Sequence, residues 1–213
     1  MTKNLLLSVG LLAVALIFFV GARKSDNKPS SVEAYEVGDD ARDFKLKNVD
    51  GTMVSLADYQ SAKGYIVIFT CNTCPFSKMY EQRIIDLDRK YKSKGFPVIA
   101  INSNDIKAQP DDSYEAMIAR SKSIGYTFPY LYDETQEIAS AYGATRTPHV
   151  YILNKTKNDL TVAYIGAIDN NHKDAANADK KYVEQAVDAL LAGKEVQVPY
   201  TKAIGCSIKW KSS

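Results

Sequence analysis

The sequence predicts an α/β protein in which helices flank a central mixed β-sheet, and three features of the chain lead to this fold class. Residues 65–70 and 98–101 are short, nearly unbroken apolar runs rich in β-branched and aromatic side chains, which is typical of strands buried on both faces. Between these runs the apolar spacing changes to that of a helix. The predicted order is β–α–β, then further helices, then β–β–α, as expected for a sheet with helices on both faces.

The elements before the first buried strand are predicted to be a β-hairpin and a short helical turn. Residues 44–47 alternate between apolar and polar side chains, Asp50 and Gly51 supply a turn, and Met53 resumes the extended pattern. Residues 55–59 fit a short helical turn. The domain therefore begins with an N-terminal hairpin.

The later elements are predicted from helical periodicity and from glycines that end helices. Pro75 fits a first helical turn, where its missing N–H costs nothing, and apolar residues then recur at helical spacing as far as Gly95. These apolar residues are Phe76, Tyr80, Ile84, Leu87 and Tyr91. Further helices are predicted over 114–124, 135–142 and 180–192, each followed by a glycine, and paired strands over 150–153 and 162–165.

The N-terminus predicts export of the chain. Residues 5–22 are almost wholly apolar, and a helix over them would span about 27 Å, close to the bilayer core of about 30 Å. Residues 1–22 are therefore either a secretory signal peptide or a short membrane anchor. The polar residues 23–35 are predicted to be a flexible linker. We expect the protein in the periplasm, either soluble after cleavage or anchored to the inner membrane through residues 5–22.

Composition and charge exclude several functions. The 213 residues carry 27 Lys and Arg against 25 Asp and Glu, and this near balance gives no electrostatic case for nucleic-acid binding. The chain contains no glycine-rich phosphate loop, so nucleotide binding has no support, and we expect no cofactor. Three cysteines are too few for a disulfide-built scaffold, and in an exported domain long enough for a proper core they indicate a chemical use.

Cys71 and Cys74 lie at the junction between the first buried strand and the first long helix. Unsatisfied N–H groups and the helix dipole favour an anion at a helix N-terminus, so a thiolate there has a lowered pKa. The Cys-x-x-Cys spacing also closes a small ring on oxidation, which lets the pair exchange two electrons. Inert buried thiols and half of a zinc site are the alternatives. Zinc needs four ligands, whereas the chain has two histidines and one further cysteine, so we expect no metal.

Several stretches of the chain together carry a specific resemblance to a known family. They are Val37-Gly38-Asp39 with Phe44, the Asp50-Gly51 hairpin, YIVIFTCNTCPFS, FPYLYDE and AYGATRTPHVYILN, and they span residues 36–193. In these stretches the chain resembles the thioredoxin-fold branch that includes the alkyl hydroperoxide reductase/thiol-specific antioxidant group and exported thioredoxin-like reductases. The resemblance implies a thioredoxin-like fold with an inserted helical segment, and the activity of an extracytoplasmic thiol–disulfide oxidoreductase. Its partners would be protein thiols and disulfides or a thioredoxin-like electron donor.

The resemblance also implies a substrate-binding role for Thr147 and Pro148. Pro148 matches the proline that is cis in thioredoxin-like proteins. That geometry would place the backbone of Thr147 beside the reactive sulfur, where it pairs with an extended substrate peptide.

The same resemblance distinguishes the two cysteines of the pair. In thioredoxins the attacking cysteine lies five residues after the strand phenylalanine that corresponds to Phe69, and this position is Cys74. Ser77 then stands where the second cysteine would be. The helix dipole alone lowers the pKa of Cys74 by about one unit. We therefore predict that Cys74 attacks first and that Cys71 resolves the mixed disulfide.

The C-terminal tail, residues 199–213, follows a folded domain predicted over residues 36–198. The tail is expected to dock on the domain through its apolar side chains. These side chains are Ile204, Ile208 and Trp210. Cys206 in this tail is either a candidate resolving thiol or packed away.

Departures from the family pattern define two alternative functions. Peroxiredoxins carry Pro-x-x-x-Thr/Ser-x-x-Cys, and counting back from Cys74 places Val67 and Cys71 at the first two positions. Pro148 stands where a peroxide-polarising arginine is expected, which weakens the case for a peroxiredoxin-like thiol peroxidase. The other alternative is a copper(I)-binding protein similar to the Sco type, with Cys71, Cys74 and His149 as ligands, although that group spaces its cysteines differently.

Overall fold

A mixed sheet of seven strands lies at the centre of the computed structural model, which describes residues 34–157 and 159–212. The strands of this part of the chain are β1 (Lys45–Asn48), β2 (Met53–Ser55), β3 (Gly64–Phe69), β4 (Val98–Asn102), β5 (Tyr130–Tyr132), β6 (Arg146–Thr147), β7 (His149–Lys155), β8 (Leu160–Gly166) and β9 (Cys206–Ser207). Its α-helices are α1 (Pro75–Tyr91), α2 (Tyr114–Ile124), α3 (Glu137–Tyr142) and α4 (Tyr182–Leu191).

The main sheet has the strand order β2-β1-β5-β4-β3-β7-β8. Strands β3, β4 and β5 are parallel, and the remaining neighbours in this sheet are antiparallel. Strands β6 and β9 form a separate antiparallel pair. The central position of β3 places its carboxyl end, and the loop that follows it, in the middle of one edge of the sheet.

Helices cover both faces of the sheet, and alternation along each strand decides which face a side chain takes. In β3, Ile66 and Ile68 pack into one core with residues of α1, α2 and α4. Val67 and Phe69 point to the opposite face and pack into a second core with residues of α3. All four side chains are buried because both faces of the sheet are covered at β3, an inner strand that lies between β4 and β7. The predicted α/β class, a mixed sheet flanked by helices, is confirmed.

The predicted hairpin at the start of the domain is confirmed. Strands β1 and β2 pair antiparallel. Gly51 between them has a φ of +88°, a left-handed backbone conformation that residues other than glycine rarely adopt. The other edge of β1 pairs with β5, which joins the hairpin to the main sheet. A short 3₁₀ turn over Leu56–Asp58 follows β2, as expected from residues 55–59.

The predicted inserted helical segment lies between β4 and β5. It contains a 3₁₀ turn over Pro110–Asp112 and then α2, whose bounds match the predicted helix. The Oγ of Ser113 accepts a hydrogen bond from the backbone N–H of Ala116 at 3.3 Å and so caps α2. The turn at Pro110–Asp112 was not predicted, and it proves important for the site.

The predictions for residues 1–22 and for most of the linker lie outside the described residues. Tyr35, in the predicted linker, packs edge-on against Tyr142 with 5.0 Å between the ring centroids. Within residues 34–157 and 159–212, no helix combines the length and the apolar character that crossing a bilayer requires.

The C-terminal tail docks on the domain through its main chain. Strand β9 pairs with β6, and the backbone N–H of Lys209 donates to Oδ1 of Asn104 at 2.8 Å. Of the three apolar side chains expected to dock the tail, only Ile208 is buried. Ile204 and Trp210 remain 48% and 45% exposed. The expectation was wrong for these two residues, because main-chain pairing replaces the apolar contact that it assumed.

Candidate functional site

Cys74 caps the N-terminus of α1. Its backbone is extended, with φ −63° and ψ 123°, and Pro75 is the first helical residue. The side chain of Cys74 makes no capping hydrogen bond, so its sulfur is placed at the positive end of the helix dipole without one. Strand β3 ends at Phe69, so the strand and the helix together fix the short loop that carries both cysteines.

Cys71 and Cys74 share a hydrogen bond, and this bond moves the pKa values of the two thiols in opposite directions. Donation from the Cys71 thiol lowers the pKa of Cys74, burial opposes this effect, and contacts with Cys206 lower the pKa further. The contact with Cys74 also raises the pKa of Cys71, with burial and the negative charge of Asp112 as the next causes. Both cysteines are only 3% exposed. Cys74 therefore has the lower pKa of the pair and Cys71 the higher one.

Thr147 contacts both sulfurs. Its carbonyl oxygen accepts a hydrogen bond from the Cys74 thiol at 3.1 Å, and its Oγ1 lies 3.4 Å from Sγ of Cys71. The peptide bond that joins Thr147 to Pro148 is cis. The structure thus brings Cys71, Cys74 and Thr147 together, with Pro148 as the next residue of the chain.

Cys206 supplies the third sulfur of the site. It stands opposite Thr147 in the pairing of β9 with β6, and its backbone N–H donates to Sγ of Cys74 at 3.4 Å. Its side chain is half-buried, and burial together with the neighbouring Cys74 raises the pKa of the Cys206 thiol. Cys71 and Cys206 therefore both lie next to Cys74, and all three cysteines are free thiols.

Asp112 binds the loop between Cys71 and Cys74, and the sequence did not predict this contact. Its carboxylate accepts hydrogen bonds from the backbone N–H of Asn72 at 2.7 Å and from Oγ1 of Thr73 at 2.8 Å. Nδ2 of Asn104 donates to the same carboxylate at 2.7 Å. Asp112 is completely buried, although it lies in a polar stretch that the sequence presents as an ordinary turn. The signal in the sequence is weak, because the contact joins residues 40 positions apart.

Ser77 occupies the position where thioredoxins carry their second cysteine. It lies on the first turn of α1 and is completely buried. Within the part of the chain that the structure describes, its hydroxyl has no hydrogen-bond partner. The partner thiol of Cys74 is therefore upstream, at Cys71, and not downstream on the helix.

His149 does not join the cysteines in a metal site. Its ring packs against Tyr151 with 4.8 Å between the ring centroids, and burial together with the charge of Arg146 lowers the pKa of His149 to about 4. Across residues 34–157 and 159–212, no group of three or more His, Cys, Asp and Glu side chains is arranged to hold a metal ion. The copper(I) hypothesis therefore lacks its ligand set of Cys71, Cys74 and His149.

A pair of thiols between a buried strand and a helix, facing a backbone carbonyl of a neighbouring strand, defines a thiol redox protein of the thioredoxin fold. The chain matches the model of the AhpC/TSA family over residues 37–162. It belongs to that family.

The chain is also similar to individual proteins and solved structures, and two of the three described below have names that state thiol–disulfide chemistry. The chain is similar to a protein named thiol-disulfide oxidoreductase ResA from Oceanobacillus iheyensis, with 30% identity over 170 residues, 76% of this chain and 80% of that protein. A crystal structure of an uncharacterized conserved protein from Geobacillus kaustophilus is 42% identical and superposes with a TM-score of 0.77, covering 84% of this chain and 94% of the other. A thiol:disulfide interchange protein of the thioredoxin family from Chlorobium tepidum TLS shares the fold at 18% identity and a TM-score of 0.55, over 74% of this chain and 99% of the other. The predicted thioredoxin-like fold, the family resemblance and the thiol–disulfide oxidoreductase class are confirmed.

Proposed function

We propose that this protein acts outside the cytoplasm as a thiol–disulfide oxidoreductase in which Cys74 is the nucleophile and Cys71 the resolving thiol. The observation that carries the proposal is the environment of Cys74. Cys74 is the N-cap residue of α1, its sulfur accepts a hydrogen bond from the backbone N–H of Cys206 and contacts the Cys71 thiol, and its pKa is lowered. Among the sulfurs of the site, this one is the thiolate near neutral pH, and the thiolate is the species that attacks a disulfide.

The reaction takes place in two exchange steps. The Cys74 thiolate attacks one sulfur of a substrate disulfide, forms a mixed disulfide, and releases the other sulfur as a thiolate that takes up a proton. Cys71 then loses its proton and attacks Sγ of Cys74, which releases the second substrate thiol and leaves a Cys71–Cys74 disulfide. The substrate gains two electrons and the enzyme loses two, and the reverse sequence oxidises a substrate dithiol.

The change in charge at Cys74 orders these two steps. Before the first step, the contact with Cys74 is the largest cause of the raised pKa of Cys71. Once Cys74 is part of a mixed disulfide, its negative charge is gone and that contact no longer raises the pKa of Cys71. The resolving thiol therefore becomes easier to deprotonate after the first bond has formed.

The substrates that we propose are extended segments of other proteins that carry a thiol or a disulfide, or a thioredoxin-like electron donor. The main chain of Thr147 lies beside Sγ of Cys74, and an extended peptide that pairs with this edge would bring its sulfur to Cys74. The location outside the cytoplasm rests on the apolar residues 5–22, which are either a cleaved signal peptide or an anchor in the inner membrane.

The proposal is tested by substituting each cysteine in the full chain, purified in mild detergent because of the apolar N-terminus. A peptide disulfide serves as substrate, and mixed disulfides are identified by mass spectrometry. In a Cys206→Ser background, which removes the other thiol beside Cys74, Cys71→Ser is expected to accumulate a mixed disulfide on Cys74, whereas Cys74→Ser is expected to form none. Trapping by Cys74→Ser, on Cys71, would show that the upstream cysteine is the nucleophile and would overturn the assignment.

Peroxidase activity is the alternative function, because the chain belongs to the AhpC/TSA family. The residues at the expected peroxide-binding positions are Val67, which is completely buried in β3, Cys71 and Pro148, and none of them has a hydroxyl or a guanidinium group. We therefore expect slow loss of the Cys74 thiol with hydrogen peroxide in stopped flow and fast exchange with the peptide disulfide. The opposite order of rates would favour the peroxidase.

A further inference from the structure

The tail strand, residues 204–208, lies along the edge that the proposed function assigns to a substrate peptide. Cys206 stands opposite Thr147 in an antiparallel register, and Ser207 stands opposite Arg146. The pairing continues beyond β9, because the backbone N–H of Ile208 donates to the carbonyl oxygen of Thr145 at 3.2 Å. An extended segment of this chain therefore already occupies the place of an extended substrate.

Gly205 allows the tail strand to approach this closely. A Cβ atom at this position would lie 2.1 Å from the carbonyl oxygen of Thr147, 2.6 Å from its carbonyl carbon and 3.1 Å from the backbone nitrogen of Pro148. All three atoms belong to the main chain, so they cannot move aside as the end of a flexible side chain could. In this pose, the residue directly before the cysteine has to be glycine.

Cys206 meets Cys74 as the cysteine of a bound substrate would. Its backbone N–H donates to Sγ of Cys74, and its thiol contacts the same sulfur. The position of Cys206 in the strand register and its contact with Cys74 are independent observations, and both place a thiol at the reactive centre.

We propose that the tail strand is a built-in peptide substrate: it fills the peptide-binding edge at Thr147 and presents Cys206 as an intramolecular thiol that forms a disulfide with Cys74. The proposal rests on the proposed role of Cys74 as the nucleophile. It assigns to Cys206 a definite partner and to Gly205 the role of a positioning residue.

The chemistry can be written with glutathione disulfide as the oxidant. The Cys74 thiolate attacks one sulfur of glutathione disulfide, forms a Cys74–glutathione disulfide and releases one glutathione thiolate. Cys206 loses its proton and attacks Sγ of Cys74, which forms the Cys74–Cys206 disulfide and releases the second glutathione. One glutathione disulfide is reduced to two glutathione molecules, and two protein thiols are oxidised. Cys71 can afterwards attack Cys74 and return Cys206 to its thiol form.

The tail strand also discriminates between substrates by size. Because Cys74 is only 3% exposed, any disulfide needs a local opening to reach its sulfur, and a protein segment that pairs with the Thr147 edge has in addition to displace the whole tail strand. Release of the tail is therefore expected to accelerate exchange with a protein disulfide more than the first reaction with glutathione disulfide.

The experiment uses the full chain with Cys71→Ser, so that Cys74 and Cys206 are the remaining thiols. Reduced protein is mixed with about 0.1 mM glutathione disulfide, below the millimolar effective concentration of a tethered group. Non-reducing peptide mapping is expected to find the Cys74–Cys206 disulfide. In Cys71→Ser with Cys206→Ser, glutathione is expected to stay on Cys74.

Gly205→Ala in the Cys71→Ser background tests the docking geometry. Because the new Cβ would overlap the main chain of Thr147, formation of the Cys74–Cys206 disulfide is expected to slow about tenfold or more. Ser207→Ala is the matched control in the same strand and is expected to leave the rate within about twofold. In the same background, attack of the Cys74 thiolate on the disulfides of oxidised insulin, measured as formation of the Cys74–insulin mixed disulfide, should become faster in Gly205→Ala.

The outcomes separate this proposal from the proposed function. Glutathione that stays on Cys74 while Cys206 is present would overturn the built-in substrate and leave Cys74 as the nucleophile. Equal rates of disulfide formation in Gly205→Ala and Ser207→Ala would overturn the docking geometry. Absence of both the glutathione adduct and the disulfide from folded protein would contradict the role of Cys74 itself.

Discussion

Removal of the Asp112 carboxylate is expected to destabilise the reduced protein strongly. This buried side chain accepts hydrogen bonds from the backbone N–H of Asn72, from the hydroxyl of Thr73 and from the side-chain amide of Asn104. Asp112→Ala would leave these three donors without their acceptor, at a site from which water is excluded. Two of the three belong to the loop between Cys71 and Cys74.

The size of the effect follows from the number of bonds lost. A hydrogen bond to a charged group contributes about 1.5–3 kcal/mol, so three such bonds sum to about 4.5–9 kcal/mol before any relaxation. The Thr73 hydroxyl can rotate to another acceptor, and the cost of burying the carboxylate disappears with it. We therefore expect a loss of about 3–4 kcal/mol in the free energy of unfolding, which corresponds to a fall in Tm of roughly 6–16 °C.

Urea unfolding of the reduced protein, followed by circular dichroism, measures this loss, and Asp111→Ala is the matched control. The Asp111 side chain is exposed, and its contact with the loop is made by its backbone carbonyl, which accepts from Nδ2 of Asn72 at 2.9 Å. The control should therefore lose less than about 0.5 kcal/mol. Equal stability of the two variants, or a loss below about 1 kcal/mol for Asp112→Ala, would refute the account of Asp112 as the support of the cysteine loop.

Two further predictions follow from the pKa shifts. The pKa of His149 is lowered to about 4 from its ordinary 6.5, so the unfolded chain binds a proton between these pH values that the folded chain does not. His149 should therefore lower the free energy of unfolding by up to about 3 kcal/mol as the pH drops from 6.5 towards 4, and His149→Gln should remove this share of the slope in urea titrations at several pH values, with the share of Cys74 remaining. The pKa of Cys74 is lowered as well, so its alkylation by iodoacetamide should stay fast well below pH 8.5. The stability that the Cys74 thiolate contributes to the folded protein should be lost as the pH falls through this lowered pKa. Cys71→Ala removes the largest cause of that shift, and an unchanged pH profile of Cys74 alkylation in this variant would contradict the shared hydrogen bond.

The parts of the fold that the sequence predicts well are those with a local physical cause. The unbroken apolar run of β3 and the helical period of α1 each reflect burial of a repeating face, and the bounds in the structure agree closely with the predicted ones. Strand β5 was missed because three residues are too few to show a period of two. Strands β6 and β9 were missed for the same reason, since a pair of two-residue strands leaves no pattern in either segment.

The residues of the site also fall into those that the sequence predicted and those that it did not. The junction of a strand and a helix at Cys71 and Cys74 was visible in the sequence, because the change of apolar period falls at those residues. Asp112 was not visible, because its burial depends on how the inserted segment folds back on the loop. The docking of the tail was predicted from apolar side chains, but the pairing of Cys206 with Thr147 is a main-chain contact and carries no side-chain signature apart from Gly205.

The surroundings of the two sulfurs explain why the pKa of Cys74 is lowered and that of Cys71 is raised. Contact with the Cys71 thiol is the largest cause of the lowered pKa of Cys74, and the backbone N–H of Cys206 also donates to its sulfur. The pKa of Cys71 is raised first by its contact with Cys74 and by burial, and the negative charge of Asp112 adds to both. The same carboxylate that accepts the hydrogen bonds of the loop therefore also opposes a thiolate at Cys71. A neutral Asp112→Asn variant should remove this third contribution, lower the pKa of Cys71 and bring the alkylation rates of the two cysteines closer together. Unchanged selectivity for Cys74 would assign the asymmetry to burial and to the surroundings of Cys74 alone.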